Sequence, residues 1–199
     1  MDADYSVELG PTADALELPW KDPDGRLHYV SLRGDSLERK VELIPEAKQF
    51  PALRRFLIEL NSPPSPWETA KCDVWAEAVG PEENTFGASI AQGCYVDLVL
   101  TGDAANLRES LKDHQRLARK AALQLDDDEE LEATVEIVVR RCYFHRGDEE
   151  ESDAGYCLTL FLTGYGASPE EAADRWQQAL QMAAICLMQL QPHEGRAKA

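Results

Sequence analysis

The chain alternates apolar and polar positions in two stretches that copy each other. Residues 93–102 read GCYVDLVLTG and residues 155–164 read GYCLTLFLTG. Gly93, Leu98, Leu100, Thr101 and Gly102 recur as Gly155, Leu160, Leu162, Thr163 and Gly164. A period of two marks a strand with one buried face. Each copy follows another strand-like run and precedes a run with helical spacing. The pattern predicts one ββα unit used twice, over 67–125 and 126–192.

In the first unit, KCDVWAEAV (71–79) predicts a strand, GPEEN (80–84) a turn and SIAQGCYVDLVLT (89–101) the partner strand. Gly102 ends that strand, and Asp103 is placed to cap a helix. Leu107, Leu111, His114, Leu117, Ala118 and Ala121 then share one helical face. In the second unit, the strands are EATVEIVVRRCYFH (132–145) and YCLTLFLT (156–163), joined by the acidic tip RGDEEESDAG (146–155). Ser168, Pro169 and Glu171 form a capping box with proline at the first helical position. Ala172, Ala173, Trp176, Leu180, Ala183, Ala184 and Leu187 make the buried stripe, and residues 193–199 are a flexible polar tail.

Residues 1–66 read as a segment packed on this core. LELPW (16–20) and RLHYVSLR (26–33) flank KDPDG and predict a β-hairpin over 16–33. Pro45 opens a helical region that Pro51 restarts, with Leu53, Phe56, Leu57 and Leu60 on one stripe up to Asn61. SPPSPW (62–67) cannot continue a helix and marks the internal boundary.

A hairpin and a helix cannot bury their apolar sides alone, but two copies side by side can. The fold class is α+β: duplicated ββα units forming an antiparallel sheet with two helices on one face, plus the N-terminal hairpin and helix. Cys94, Val96, Leu98 and Leu100 are assigned to the helix side, with Tyr156, Leu158, Leu160 and Leu162. The opposite face carries Tyr95, Asp97, Thr159 and Phe161, and its neighbouring strands add Asp73, Trp75, Glu77, Glu136 and Arg140. Aromatics mixed with acids suit a binding surface, if the N-terminal segment does not cover them. These nine residues are the candidate binding set.

Charge narrows the partners. The net charge is −17. Residues 1–66 hold 12 acids against 8 bases, and residues 67–199 hold 25 against 12. A polyanion or an anionic membrane surface would be repelled, so nucleic acid and membrane are excluded, while a basic protein partner is admitted. MDADYSVELG has no basic or apolar leader character, and no apolar run reaches the roughly 18 residues of a membrane span. A cytoplasmic protein is expected. The five cysteines, Cys72, Cys94, Cys142, Cys157 and Cys186, are widely spaced in apolar runs and read as buried thiols.

No catalytic residue, metal site or cofactor is read from the chain. The run TGYGAS (163–168) resembles a phosphate turn, but Glu170 and Glu171 would repel an anion. The acidic runs 126–132 and 148–153 lack the alternation around a glycine that calcium needs and read as solvated loops. His28, His114, His145 and His193 are scattered, with His114 on an apolar helix face. The expected function is a non-enzymatic protein-interaction module, adaptor-, chaperone- or inhibitor-like. The alternative is a small-ligand-binding protein or enzyme with a pocket between the sheet and the N-terminal segment. A monomer or weak homodimer is expected, because two fused units supply the interface that identical subunits would share.

Overall fold

The computed structural model describes residues 1–21, 24–80, 86–126, 131–145, 152–190 and 192. The sheet contains β1 (Asp2–Glu8), β2 (Leu16–Leu18), β3 (Trp67–Ala78), β4 (Ile90–Leu100), β5 (Ala133–His145) and β6 (Ser152–Gly166). Its order is β1-β5-β6-β4-β3, and β2 extends the β1 edge by pairing with residues 142–144 of β5. The helices are α1 (Leu37–Val41), α2 (Pro45–Gln49), α3 (Pro51–Asn61), α4 (Leu111–Leu125) and α5 (Pro169–Gln189). The result is a mixed α+β fold with helices packed on one face of a central sheet. No described helix is long and apolar enough to cross a membrane.

Strand alternation builds the core. Val96, Leu98 and Leu100 of β4, Leu158, Leu160 and Leu162 of β6, and Val135, Ile137 and Val139 of β5 face α3, α4 and α5. They pack with Phe56, Leu57 and Leu60, with Leu117 and Ala118, and with Trp176, Leu180 and Leu187. Trp67 lies fully buried in the same core, its indole N–H donating to the Leu187 carbonyl at 3.0 Å. Residues on both sides of 62–66 therefore contribute to one core. His114 is buried too, with Nδ1 3.0 Å from the Ser110 carbonyl oxygen, and burial holds its pKa down. Buried Cys94 behaves as a hydrophobe, its thiol pushed up to about 12 by burial.

Three expectations are corrected. The hairpin over 16–33 is reduced to one bridge, Lys21 with Leu27, and one bond from the His28 N–H to the Trp20 carbonyl at 3.3 Å. Leu16–Leu18 pairs in parallel with β5 instead. Tyr29 and Ser31 hydroxyls donate to the buried Glu68 carboxylate at 2.8 and 2.7 Å, which fastens 29–31 to β3 through side chains. The second correction concerns the helix after Gly102. Gly102–Leu107 is a 3-10 turn, and α4 starts only at Leu111, with the Ser110 hydroxyl accepting from the Asp113 N–H at 3.3 Å. The cause is tertiary: the Arg108 carbonyl accepts the Tyr156 amide at 2.9 Å and cannot serve a continuous helix. The third is the start of β3. The strand begins at Trp67, before the expected Lys71, and takes a bulge between Thr69 and Lys71. The α2–α3 break falls at Phe50–Pro51, where proline restarts the helix. The turn at 81–84, the tip at 146–151, residues 127–130 of the first acidic run and the tail at 193–199 lie outside the described residues.

The repeated glycines serve different ends. Gly102 adopts φ 58°, the left-handed turn that glycine favours. Its counterpart Gly164 lets helix α5 lie against β6: a Cβ there would fall 2.2 Å from the Trp176 backbone nitrogen and 2.5 Å from the Ala172 oxygen. Both obstacles are backbone, so neither can swing away. Gly164→Ala should destabilise the fold by about 3 kcal/mol, as overpacking against rigid neighbours does. Gly10→Ala, with nothing within 4 Å of its Cβ, should be near neutral. Thermal unfolding of the two variants checks this, and equal midpoints would contradict the close helix approach.

Candidate functional site

The register places all nine candidate residues on the sheet face opposite the helices. In one row across the sheet, Asp73 pairs with Tyr95, Tyr95 with Phe161, Phe161 with Glu136 and Glu136 with Asp4. In the next, Lys71 pairs with Asp97, Asp97 with Thr159 and Thr159 with Val138. Trp75 pairs with Gly93, and its indole lies against that glycine: a Cβ on Gly93 would come within 2.6 Å of the ring. The missing side chain is what lets the indole lie flat on the sheet, half-buried.

The N-terminal segment covers only part of this face. Leu16, Leu18, Ala70, Val99, Cys142 and Cys157 form a second small core, with Trp20, Tyr29 and Phe144 around it. At its border a cavity of about 490 Å³ opens, lined by Asp14, Ala15, Leu16, Lys71, Tyr95, Asp97, Arg140, Thr159 and Phe161. Five of the nine candidates meet there: Tyr95, Asp97, Arg140, Thr159 and Phe161. Asp73, Trp75, Glu77 and Glu136 stay outside it. Asp73, Glu77 and Glu136 are exposed and rim the uncovered part of the face, where Tyr165 also lies against Phe86 at 5.3 Å between ring centres.

Within the cavity, Asp97 is only 6% exposed and accepts the hydroxyl of the fully buried Thr159 at 2.5 Å. Burial raises its pKa, opposed by the Thr159 hydrogen bond and by the charges of Arg140 and Lys71. Lys71 Nζ stands 5.4 Å from the Trp20 ring centre and 5.9 Å from that of Tyr95. The Arg140 guanidinium lies 5.3 Å over the Phe161 ring and pairs with Glu8 at 3.2 Å. Burial, then the Asp97 and Asp73 carboxylates, hold the Tyr95 hydroxyl protonated well above its usual range. The arrangement is two cations seated on aromatic rings with one buried carboxylate between them. It can recognise charge and planar groups. Among the described residues, no group of three or more His, Cys, Asp or Glu side chains could hold a metal.

Lys71 and Trp20 were absent from the candidate set. Lys71 was legible by strand parity, two positions from Asp73, whereas Trp20 reaches the face only through the tertiary path of 14–20. The chain matches no family model, no curated protein and no solved structure.

Asp97 sets a pH dependence. Between the ordinary carboxylate pKa and its raised folded value, the native state holds a proton that the unfolded chain has released. Stability should therefore fall as pH rises through that window, from about pH 4 upward. Asp97→Asn keeps an oxygen for Thr159 and removes the titration. Its unfolding midpoint should fall less than wild type over the same pH range. Parallel profiles would show that the buried carboxylate is not the source.

Proposed function

We propose that the chain is a non-enzymatic protein-interaction module that receives a basic partner on the uncovered sheet face. One observation carries the reading: the Tyr95–Phe161 ring pair, with centroids 6.0 Å apart, sits in a row ending in the exposed acids Asp73, Glu136 and Asp4. Arginine or lysine side chains suit such a row, stacking on rings while pairing with carboxylates. The excess of 25 acids over 12 bases in residues 67–199 supports the same sign of partner. Adaptor-, chaperone- and inhibitor-like roles all use such a surface.

The cavity favours a second reading, a small ligand held between the sheet and residues 14–16. Lys71 and Arg140 would take an acidic group and Asp97 a donor, with Tyr95 and Phe161 as walls. Of the acids Asp73, Glu77 and Asp97, only Asp97 stands in the wall of this cavity.

The duplication of the ββα unit belongs to the proposal as well. Gly93 and Gly155 lie 62 positions apart, and the same offset carries Asp97 onto Thr159. Asp97 and Thr159 are register partners, so β4 and β6 meet there at equivalent positions of the two copies. A monomer or weak homodimer in the cytoplasm, where five thiols stay reduced, completes the reading.

A nine-residue peptide alternating arginine and serine tests the main claim. It should bind wild type with an affinity that falls as salt rises. The combined variant Asp73→Asn, Glu77→Gln, Glu136→Gln should weaken it roughly tenfold, since each exposed pair contributes only a little. Trp75→Ala should also weaken it, at a stability cost of about 1–2 kcal/mol, below the 3–5 kcal/mol of a fully buried aromatic. Unchanged affinity in the combined variant would move the partner off this face.

A further inference from the structure

We infer that the outer edge of β3, from Cys72 to Ala78, accepts an added strand: an extended segment of a partner in which basic residues alternate with bulky apolar ones. The inference rests on the interaction-module reading and names how the partner is held. The Val79 N–H donates to the Ser89 carbonyl at 3.0 Å, which sets the phase of the β3–β4 ladder. Asp73, Trp75 and Glu77 exchange their backbone bonds with β4. The N–H and C=O groups of Cys72, Val74 and Ala76 therefore point away from the sheet. Among the described residues no strand lies beyond β3.

The same edge is closed at its beginning. The Thr69 N–H donates to the Asn61 side-chain oxygen at 3.1 Å, and the Ala70 carbonyl accepts the Trp20 indole N–H at 3.1 Å. Closure stops there. Next to it a cavity of about 260 Å³ opens, with Trp20, Val30, Leu43, Ile44, Leu57 and Cys72 in its wall. Leu43 is 65% exposed, an apolar side chain waiting at the mouth. Beyond Cys72, among the described residues, the Val74 amide is held locally by the Asp73 carboxylate at 2.8 Å.

Charge decides the occupant. A second copy would bring its own Asp73 and Glu77 and a net charge of −17 to the same edge. A basic strand meets those acids favourably, and Asp73 turns from the Val74 amide to the incoming cation. An added strand alternates its faces. On the helix side its residues pass over Val74 and Cys72 toward Leu43 and Ile44 in the cavity wall, which also holds Glu46 and Lys71. On the open side they meet Asp73, Trp75 and Glu77. Hence the alternation of apolar and basic residues in the partner.

The probe is an eight-residue peptide alternating lysine and leucine. In an antiparallel addition the leucines face the helix side and their amides face β3, so N-methylation at the leucines blocks the edge while keeping every side chain and charge. Wild type should bind the plain peptide, with shifts of the Cys72, Val74 and Ala76 amide resonances. N-methylation should weaken binding roughly tenfold. Ala76→Pro removes an outward N–H without touching the β4 ladder and should weaken it as much, with an unchanged circular dichroism spectrum. Leu43→Glu should weaken it through the cavity. Equal binding of the N-methylated peptide, with Ala76→Pro also at wild-type affinity, would overturn strand addition; salt-sensitive binding of both peptides would still leave the module reading standing. Wild-type self-association that Ala76→Pro abolishes would give the edge to a second copy and overturn the inference. Failure of every basic peptide to bind at low salt would overturn both readings.

Discussion

The pairing of β4 with β6 is the constraint on which the rest depends. It sets Val96 beside Leu160 and Asp97 beside Thr159. Because side chains alternate, that single register sends Val96, Leu98, Leu158, Leu160 and Leu162 into the helical core and Tyr95, Asp97, Thr159 and Phe161 to the other face. A slip of one residue would exchange the two sets and put Asp97 under α5. Gly164 adds the second condition, because the α5 backbone can approach β6 only where no Cβ intervenes. With the helices committed to one face, the other is left to the N-terminal segment, which covers only its lower part.

The two edges of the sheet are treated differently, and this asymmetry shapes the functional reading. The β5 edge is closed by β1 and β2 in series, both parallel to it. The β3 edge is closed over Thr69 and Ala70 by Asn61 and Trp20 and, among the described residues, carries no strand from Cys72 onward. Proteins blunt such edges with charge. Here Asp73 and Glu77 stand on it. The acids discourage pairing between copies while leaving the edge open to a strand of opposite sign. The open face, the edge and the cavity beside it then form one continuous surface around β3.

Much of this was legible by parity. The alternation in 93–101 and 155–163 separated core from surface residues, and the capping box at Ser168 gave the start of α5, where the Ser168 hydroxyl accepts the Glu171 amide at 3.3 Å. Non-local choices were not legible. Nothing in Leu16–Leu18 says that its partner is Cys142–Phe144 rather than the chain just beyond the KDPDG turn. Ser110 displaced Asp103 as the start of α4 because a strand amide some 50 residues away, on Tyr156, claims the Arg108 carbonyl. Of the candidate site, the shared face followed from strand parity. The cavity did not, because it exists only where residues 14–16 meet Lys71 and Arg140.

Hydrogen exchange at single-residue resolution along β3 tests the central geometry most directly. In the free protein, the amides of Asp73, Trp75 and Glu77 bond to β4 and should exchange slowly. Those of Cys72, Ala76 and Ala78 should exchange fast, at a rate independent of protein concentration, with Val74 slowed only by Asp73. An alternating pattern of this kind means a paired inner side and an open outer side. Uniformly slow exchange along 72–78, or protection that grows with concentration, would mean the edge is already covered and would contradict an open surface around β3.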